Sequence, residues 1–364
     1  MNLSSVLKRI PYWYAAQKCV YIKSAPGRGK TTVFVEASAV LSKLLKKDIG
    51  HVVINGPLLT PADSIGYLVP KTRTDGEGHE HLESQYTDPF WFRTSEGKRL
   101  DEYDGGIIIV DEADKMDADT KKVIGEAALS RRLGPHVLPD GWVVWMAGNR
   151  AADRSGSTKE LDHLINRRIE IDVTDDLGSW NEWAAVNGVS PVTMAFANQN
   201  PHIVWTENVP DKQGPWCTPR SLVEADRFMQ TVQRINNMSD FPDDVLTMEE
   251  VQGMIGAAAV SQLFAFVRLD REMPKFETIV KDPMAVKIPE KPDAQMLVCY
   301  NLAHRVSYET AEPVIKYVDR LPKEFAVTFA QTACRRDYSL LRHPAVNSWS
   351  MRNSSLMAAI ALNK

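Results

Sequence analysis

The chain has 364 residues, enough for two or three domains and a sizeable buried core. It is 44% hydrophobic and 25% charged, with a formal charge of −4 and a pI near 6.1, so overall charge does not draw it to nucleic acid or an anionic membrane; a local basic patch is still compatible with that balance. No apolar run approaches the ~20 residues that span a bilayer.

Met1 to Tyr14 carries Lys8-Arg9 without an apolar stretch behind it, so no signal peptide and a cytoplasmic location are expected. Cys19, Cys217, Cys299 and Cys334 are scattered, with no C-x-x-C, and read as reduced packing residues. The first half alternates short β-rich runs with helical stretches, the pattern of a parallel sheet covered by helices. Strands are expected at Cys19–Ile22, Val52–Ile54, Ile107–Val110, Trp142–Met146 and Ile169–Val173. Between the first two, Phe34, Ala37, Leu41, Leu44 and Leu45 recur at helical spacing over Thr31–Lys47, with Lys43, Lys46 and Lys47 at the end and Gly50 as the stop. Ile107–Val110 is continuously apolar, as a strand covered on both faces should be. Gly76 to Ser84 reads as an exposed loop or hairpin.

After Val173 helical patterns dominate: Leu177–Val186, Pro191–Ala197, Pro219–Ile235, Met248–Leu269, Ala294–Val306, Pro313–Val318 and Lys323–Cys334. Proline-bearing breaks separate them. The expected division is an α/β domain over 1–174, a helical domain over 175–288 and a helical C-terminal segment over 289–364.

Ser24-Ala-Pro-Gly-Arg-Gly-Lys-Thr31 follows the first strand and opens the first helix. A glycine-rich turn there aims successive backbone N–H groups at a phosphate, aided by the positive end of the helix dipole. Ser24, Ala25, Pro26, Gly27, Arg28, Gly29, Lys30, Thr31 and Thr32 are therefore the candidate phosphate cradle, with Lys30 neutralising the β- and γ-phosphates and the Thr31 hydroxyl on Mg²⁺. Ser24 stands where the motif has glycine. Asp111 and Glu112 end the apolar third strand, on the edge where ligands bind in open α/β sheets. Asp111 suits Mg²⁺ and Glu112 an attacking water. Asp111-Glu-Ala-Asp114 also spells the DEAD-box signature, but those helicases need a second sheet domain and this chain turns helical instead.

With both motifs in place, the downstream spacing over Cys19 to Phe228 resembles AAA+ ATPases, specifically the MoxR-like branch. Ala127–Gly134 and Leu138–Trp142 look like the helix and β-hairpin inserted before the fourth strand of that family. Trp145-Met-Ala-Gly-Asn149 resembles sensor 1, which would put Asn149 on the γ-phosphate or the attacking water; read alone, Gly-Asn is a turn pair. Leu161–Arg168 falls where the family places its arginine finger, with Arg167 fitting best, Arg168 open and Arg154 a weaker third; equally, the pair could simply end a helix. Trp216-Cys-Thr-Pro-Arg220 resembles sensor 2, with Thr218 as N-cap and Pro219 as the first helical residue. A structural cation opposes the dipole in that first turn, and a phosphate-facing Arg220 explains its position. Gly56 to Phe92 looks like the helix-2 insert, where Tyr67, Trp91 and Phe92 either contact a substrate chain or pack inside. His79 and His81 lie in a polar stretch without further ligands, and no metal beyond Mg²⁺ is assigned.

The resemblance implies an AAA+ P-loop αβα domain with a five-stranded parallel sheet in the order 5-1-4-3-2, then a helical lid and the helical C-terminal segment. It further implies ATP and Mg²⁺ as ligands and a homo-oligomeric, hexameric ring. The expected role is remodelling a protein client, with a von Willebrand factor A domain protein as partner and no membrane. A nucleic-acid motor or loader is the alternative, disfavoured by the acidic pI and the absence of a recognisable DNA-binding module. A scaffold that binds ATP without turnover is a third reading, opposed by Glu112, Asn149 and the arginines.

Overall fold

The computed structural model describes residues 1–150, 153, 162–174, 176–206, 209–210 and 213–354. The chain divides into two compact units, Met1–Asp175 and Asp176–Lys364.

In chain order the first unit runs α1 (Leu3–Ala15), β1 (Val20–Ser24), α2 (Lys30–Leu45), β2 (Ile49–Asn55), α3 (Pro61–Ile65), β3 (Leu68–Thr74), β4 (Glu80–Tyr86), β5 (Gly105–Asp111), α4 (Ala118–Ser130), β6 (Arg132–Leu133), β7 (His136–Val137), β8 (Trp142–Asn149), α5 (Asp162–Ile165) and β9 (Ile169–Asp172). Five strands form one sheet in the order β2-β5-β8-β1-β9, every neighbouring pair parallel. Numbered among themselves and read from the β9 edge, they run 5-1-4-3-2, the AAA+ P-loop order expected. The chain leaves β1 for β2 at one edge and returns past β1 to β9 at the other. The crevice between β1 and β8 is thus the switch point, where such sheets hold their ligands beyond the strand ends.

The apolar run in β5 is buried on both sides, for the reason its composition suggests. Ile107 and Ile109 face α1 and α2 in a core with Val6, Ile10, Phe34 and Trp145. Ile108 and Val110 face the opposite core, with Ile124 of α4, Trp91, Trp142 and Met146. The two β8 tryptophans each find an acceptor for the indole N–H: Trp142 donates to Leu100 O at 2.9 Å and Trp145 to Lys18 O at 2.9 Å. That is the polar partner a buried indole requires.

One expectation changes and two open alternatives are decided. Helix α2 is capped by Lys46 in the left-handed conformation (φ 55°), whose N–H bonds Ser42 O, while Gly50 lies inside β2 against the Tyr103 ring. Trp91 and Phe92 belong to the core, and Tyr67 alone of the three aromatics is exposed. The stretch from Gly76 to Ser84 is the tip and second strand of an antiparallel hairpin, β3–β4, with nearly every residue at the surface.

The second unit is helical throughout its described residues: α6 (Leu177–Val186), α7 (Pro191–Gln199), α8 (Pro201–Val204), α9 (Pro219–Ile235), α10 (Val245–Ile255), α11 (Ala257–Arg271), α12 (Phe276–Lys281), α13 (Pro292–Arg305), α14 (Ala311–Val318), α15 (Lys323–Arg336) and α16 (Pro344–Arg352). The span expected as a single helix over Met248–Leu269 is two helices. Gly256 between them has φ 82°, and a Cβ there would sit 2.6 Å from Pro215 O. Apolar periodicity runs through such a break, so only the glycine marks it. Helix α13 is buried on two faces: Leu297 and Tyr300 join the core of α6 to α11, and Val298, Cys299 and Leu302 that of α14 to α16. Asp226 on α9 is buried and accepts from Ser190 N (3.1 Å), Ser190 Oγ, Thr193 Oγ1 (2.7 Å) and Gln230 Nε2 (2.7 Å), tying α9 to the start of α7. No described helix is long and apolar enough to cross a membrane.

His304, near the end of α13, carries a consequence for pH. Burial, and secondarily the Arg336 charge, push its pKa down to about 3, and its Nε2 has no hydrogen-bond partner. Between that value and the unfolded pKa of about 6.5 the unfolded chain binds the extra proton, so stability is full above pH ~6.5 and falls as pH drops. In chemical denaturation of the full chain from pH 7.5 to 5, the midpoint should fall, and His304→Gln should flatten that fall. Equal slopes for the two proteins would remove His304 from the account.

Candidate functional site

The phosphate-loop residues lie where β1 hands over to α2. Gly27 (φ 73°) and Gly29 (φ 81°) adopt the left-handed conformation, which L side chains rarely enter, and Gly29 caps α2. Successive N–H groups in such a turn form a concave anion nest at the positive end of a helix of 16 residues. Ser24, Ala25 and Arg28 are buried, Pro26 and Gly27 half-buried, and Thr31 and Thr32 follow Lys30 in the first turn of α2, with Thr32 exposed.

Lys30 is 7% exposed and its ammonium is held by neutral oxygens: Ser24 O (3.1 Å), Ser24 Oγ (3.2 Å), Ala25 O (3.0 Å) and Asn149 Oδ1 (3.1 Å). The Asn149 contact links two segments 119 residues apart. It follows from the sheet: Ser24 and Asn149 are register partners at the ends of β1 and β8. Ser24 in place of glycine adds a hydroxyl to this lysine cage.

One strand further along, Asp111 ends β5 beside Asn55 of β2. Its Oδ1 accepts the N–H of Glu112 at 2.9 Å. Glu112 is in the left-handed conformation (φ 51°, ψ 36°), and its carboxylate pairs with Lys115 at 2.6 Å. An L residue held there stores backbone strain, a feature that clusters at functional sites. The ends of β5, β8 and β1 thus bring Asp111, Glu112, Asn149, Ser24 and Lys30 to one edge of the sheet.

The arginine pair lies elsewhere. Arg168 has a side chain only 2% exposed, pairs with Glu170 at 3.1 Å and stacks its guanidinium 4.3 Å from the Tyr21 ring. Burial pushes the Glu170 carboxyl up, but Lys23 and Arg168 outweigh it and hold that carboxyl below its ordinary value. Arg167 is exposed and borders a surface depression of 580 Å³ with Lys18, Glu126, Ser130 and Asn166. Ile169 pairs with Val20, the first residue of β1, whereas the lysine cage is at its last. Four residues at about 3.3 Å each separate those levels by roughly 13 Å, with Arg167 beyond the far end. Arg154 lies outside the described residues.

In the other unit, Arg220 occupies the first turn of α9 and is exposed. Thr218 is the N-cap, accepting from Ser221 N at 3.1 Å, and Pro219 is the first helical residue. His79 and His81 are exposed on the hairpin, and the described residues contain no group of three potential metal ligands. Two residues escaped the sequence reading. Asp114, in the turn after Glu112, is 3% exposed and its Oδ1 accepts the N–H of Asn149 at 2.9 Å. Asp153 holds the strand end from the other side through Arg150 N (3.0 Å) and the Arg150 guanidinium (2.8 Å). The signal for Asp114 lies in the Asp-Glu-Ala-Asp string, as its last residue.

No protein-family model matches the sequence, and no curated protein matches it. Among solved structures, this chain is similar to a candidate ATPase from Cytophaga hutchinsonii at 12% identity and TM-score 0.34, over 74% of this chain and 89% of that one. It is also similar to the RuvB Holliday junction branch migration motor of Thermotoga maritima at 13% identity and TM-score 0.38, over 78% and 75%. A third is NtrX from Brucella abortus in complex with ADP, at 14% identity and TM-score 0.36, over 97% and 68%. These likenesses are of fold alone. The five-stranded parallel order stands on the sheet itself.

The two arginines predict opposite phenotypes. Arg168→Ala removes a buried cation from a part-exposed partner and should cost about 1–3 kcal/mol. Arg167→Ala should leave the thermal unfolding of the chain within about a degree, as surface substitutions do. Equal loss of stability in both variants would contradict the assignment of Arg168 to packing.

Proposed function

We propose that the Met1–Asp175 unit binds ATP with Mg²⁺ and hydrolyses it, and that a second copy of the chain completes the site. The observation that supports this most is the meeting of Lys30, Ser24 and Asn149 at the ends of β1 and β8, on the same side of the sheet as Asp111, which ends β5, and Glu112, which follows it. The residues fit the ligand. The carbonyl, hydroxyl and carboxamide oxygens around the Lys30 ammonium are acceptors of the kind a phosphate offers, on a nest of left-handed glycines.

In this reading Thr31 and Asp111 hold Mg²⁺, which supplies charge neutralisation on the phosphate oxygens. Lys30 leaves its protein acceptors for the β- and γ-phosphates. Glu112 leaves Lys115, orients a water and draws off its proton as the water oxygen attacks the γ-phosphorus. The bond to the bridging oxygen breaks, and ADP and inorganic phosphate result. Asn149 fixes the water or the γ-phosphate.

Arg167 is exposed and lies at the opposite ends of the strands from Lys30, so it suits a nucleotide held by a neighbouring copy and not its own. That is the geometric support for a ring, with Arg167 as its arginine finger and Arg220 as the contribution of the helical unit. The finer assignment is a MoxR-like ATPase that remodels a protein client with a von Willebrand factor A domain partner. The exposed β3–β4 hairpin, with Tyr67, Leu68 and Leu82 at the surface, offers a contact surface for such a client.

Three variants separate the roles. Lys30→Ala should weaken nucleotide binding. Glu112→Gln should keep it and lower turnover by roughly 10²-fold or more. Arg167→Ala should bind normally yet turn over poorly, and mixing it with Glu112→Gln subunits should restore activity, because one interface then holds an intact Glu112 and an intact Arg167. Equal hydrolysis by wild type and Glu112→Gln would sink the mechanism. Failure of the mixture to recover would remove the shared site.

A further inference from the structure

We propose that Asp114 is a positioning residue that sets where Asn149, and through it the Lys30 ammonium, is held; the catalytic consequence rests on the nucleotide-site reading above. The β5–β8 ladder ends at Val110 paired with Met146, whereas β8 continues to Asn149 along β1. Beyond Met146 the backbone of β8 has outrun its β5 partner. Asp114, in the turn that follows Glu112, takes over with a side chain: its Oδ1 accepts the Asn149 N–H at 2.9 Å, inside the protein. The Asn149 carboxamide then accepts from Lys30 Nζ at 3.1 Å. Two hydrogen bonds therefore connect the turn that bears Glu112 to the lysine of the phosphate loop.

The backbone of β8 is shaped for this contact. A Cβ at Gly148 would stand 2.8 Å from Asp114 Oδ1 and 2.3 Å from the Tyr21 hydroxyl, so only glycine lets the carboxylate come this close. Ionised hydrogen-bond partners are shorter and stronger than neutral ones, so the contact resists displacement when Lys30 changes partners. Asp114 acts here through the backbone N–H of Asn149, the residue whose carboxamide meets Lys30.

The test uses the full chain with Asp114→Ala and Asp114→Asn, the latter keeping an oxygen acceptor for the Asn149 N–H. Without nucleotide, the acylation rate of Lys30 by acetic anhydride, read by mass spectrometry, should rise several-fold in Asp114→Ala and stay near wild type in Asp114→Asn. With ATP, kcat should fall about 10-fold or more in Asp114→Ala while KM moves less than about threefold, since a small misplacement affects the transition state more than binding. Should Asp114→Ala not fold, Asp114→Ser leaves the same acceptor position empty and is read identically. Wild-type acylation and kcat in the Ala or Ser variant would overturn the proposal, as would equal impairment of Asp114→Asn. Faster acylation in Asp114→Ala alongside a wild type that hydrolyses no ATP would keep the positioning role and overturn the ATPase reading.

Discussion

A buried ammonium is the constraint on which the strand ends of β1, β8 and β5 depend. Lys30 is nearly sealed from water, and a charge so placed must find oxygens or unfold its surroundings. The sheet supplies them. Because β1 and β8 are parallel neighbours in a register that ends at Ser24 and Asn149, their last residues arrive together at the start of α2. A shift of one residue in that register would turn the Asn149 side chain to the other face and leave the lysine short of an acceptor. The five-stranded order, the placement of the glycines and the buried acid Asp114 all serve that meeting.

The same sheet separates two groups of side chains at the two ends of its strands. At the strand ends, β5, β8 and β1 assemble the carboxylates, the asparagine and the lysine. At the strand starts, Arg168 is absorbed into packing against Tyr21 and Glu170, and Arg167 is left exposed. Adjacent arginines in sequence thus meet opposite fates, because one precedes the strand directly and points into the sheet's flank while the other sits in the turn. Cys19, at the same end, is buried and pushed up to about 12, so its thiol is a packing group and not a nucleophile.

Much of this was legible because period and position coincide. The apolar strands, the phosphate loop opening a helix and Thr218-Pro219 starting α9 each have a local cause visible in a few residues. What stayed hidden depends on distant contacts. Lys46 could end α2 in the left-handed form only because the chain must turn into β2 there, which no propensity of lysine announces. Trp91 and Phe92 look alike on an exposed or buried loop until the Ser64 carbonyl, which takes the Trp91 indole N–H at 3.1 Å, is in place. Gly256 stands inside an apolar repeat that continues across it, so periodicity predicted one helix. Asp114 was visible as a letter in a motif, but its partner is a backbone N–H 35 residues away.

The charges of the site are stored in internal contacts. Lys30 rests on Ser24, Ala25 and Asn149; Glu112 rests on Lys115; Arg150 rests on Asp153. A bound triphosphate would therefore exchange partners and not uncover bare charges, which keeps the desolvation penalty of binding small. The exchange is uneven. Lys30 would exchange the Ser24, Ala25 and Asn149 oxygens for anionic ones, a gain, while Glu112 would have to surrender a cation before it could orient water. In the proposed reading, binding and hydrolysis would be set by different contacts in one small region: the first by the cage around Lys30, the second by release of a carboxylate held in a strained turn. Asp114 stands between them, on the turn of Glu112 and against the backbone of Asn149, which is where a change in one would be felt by the other.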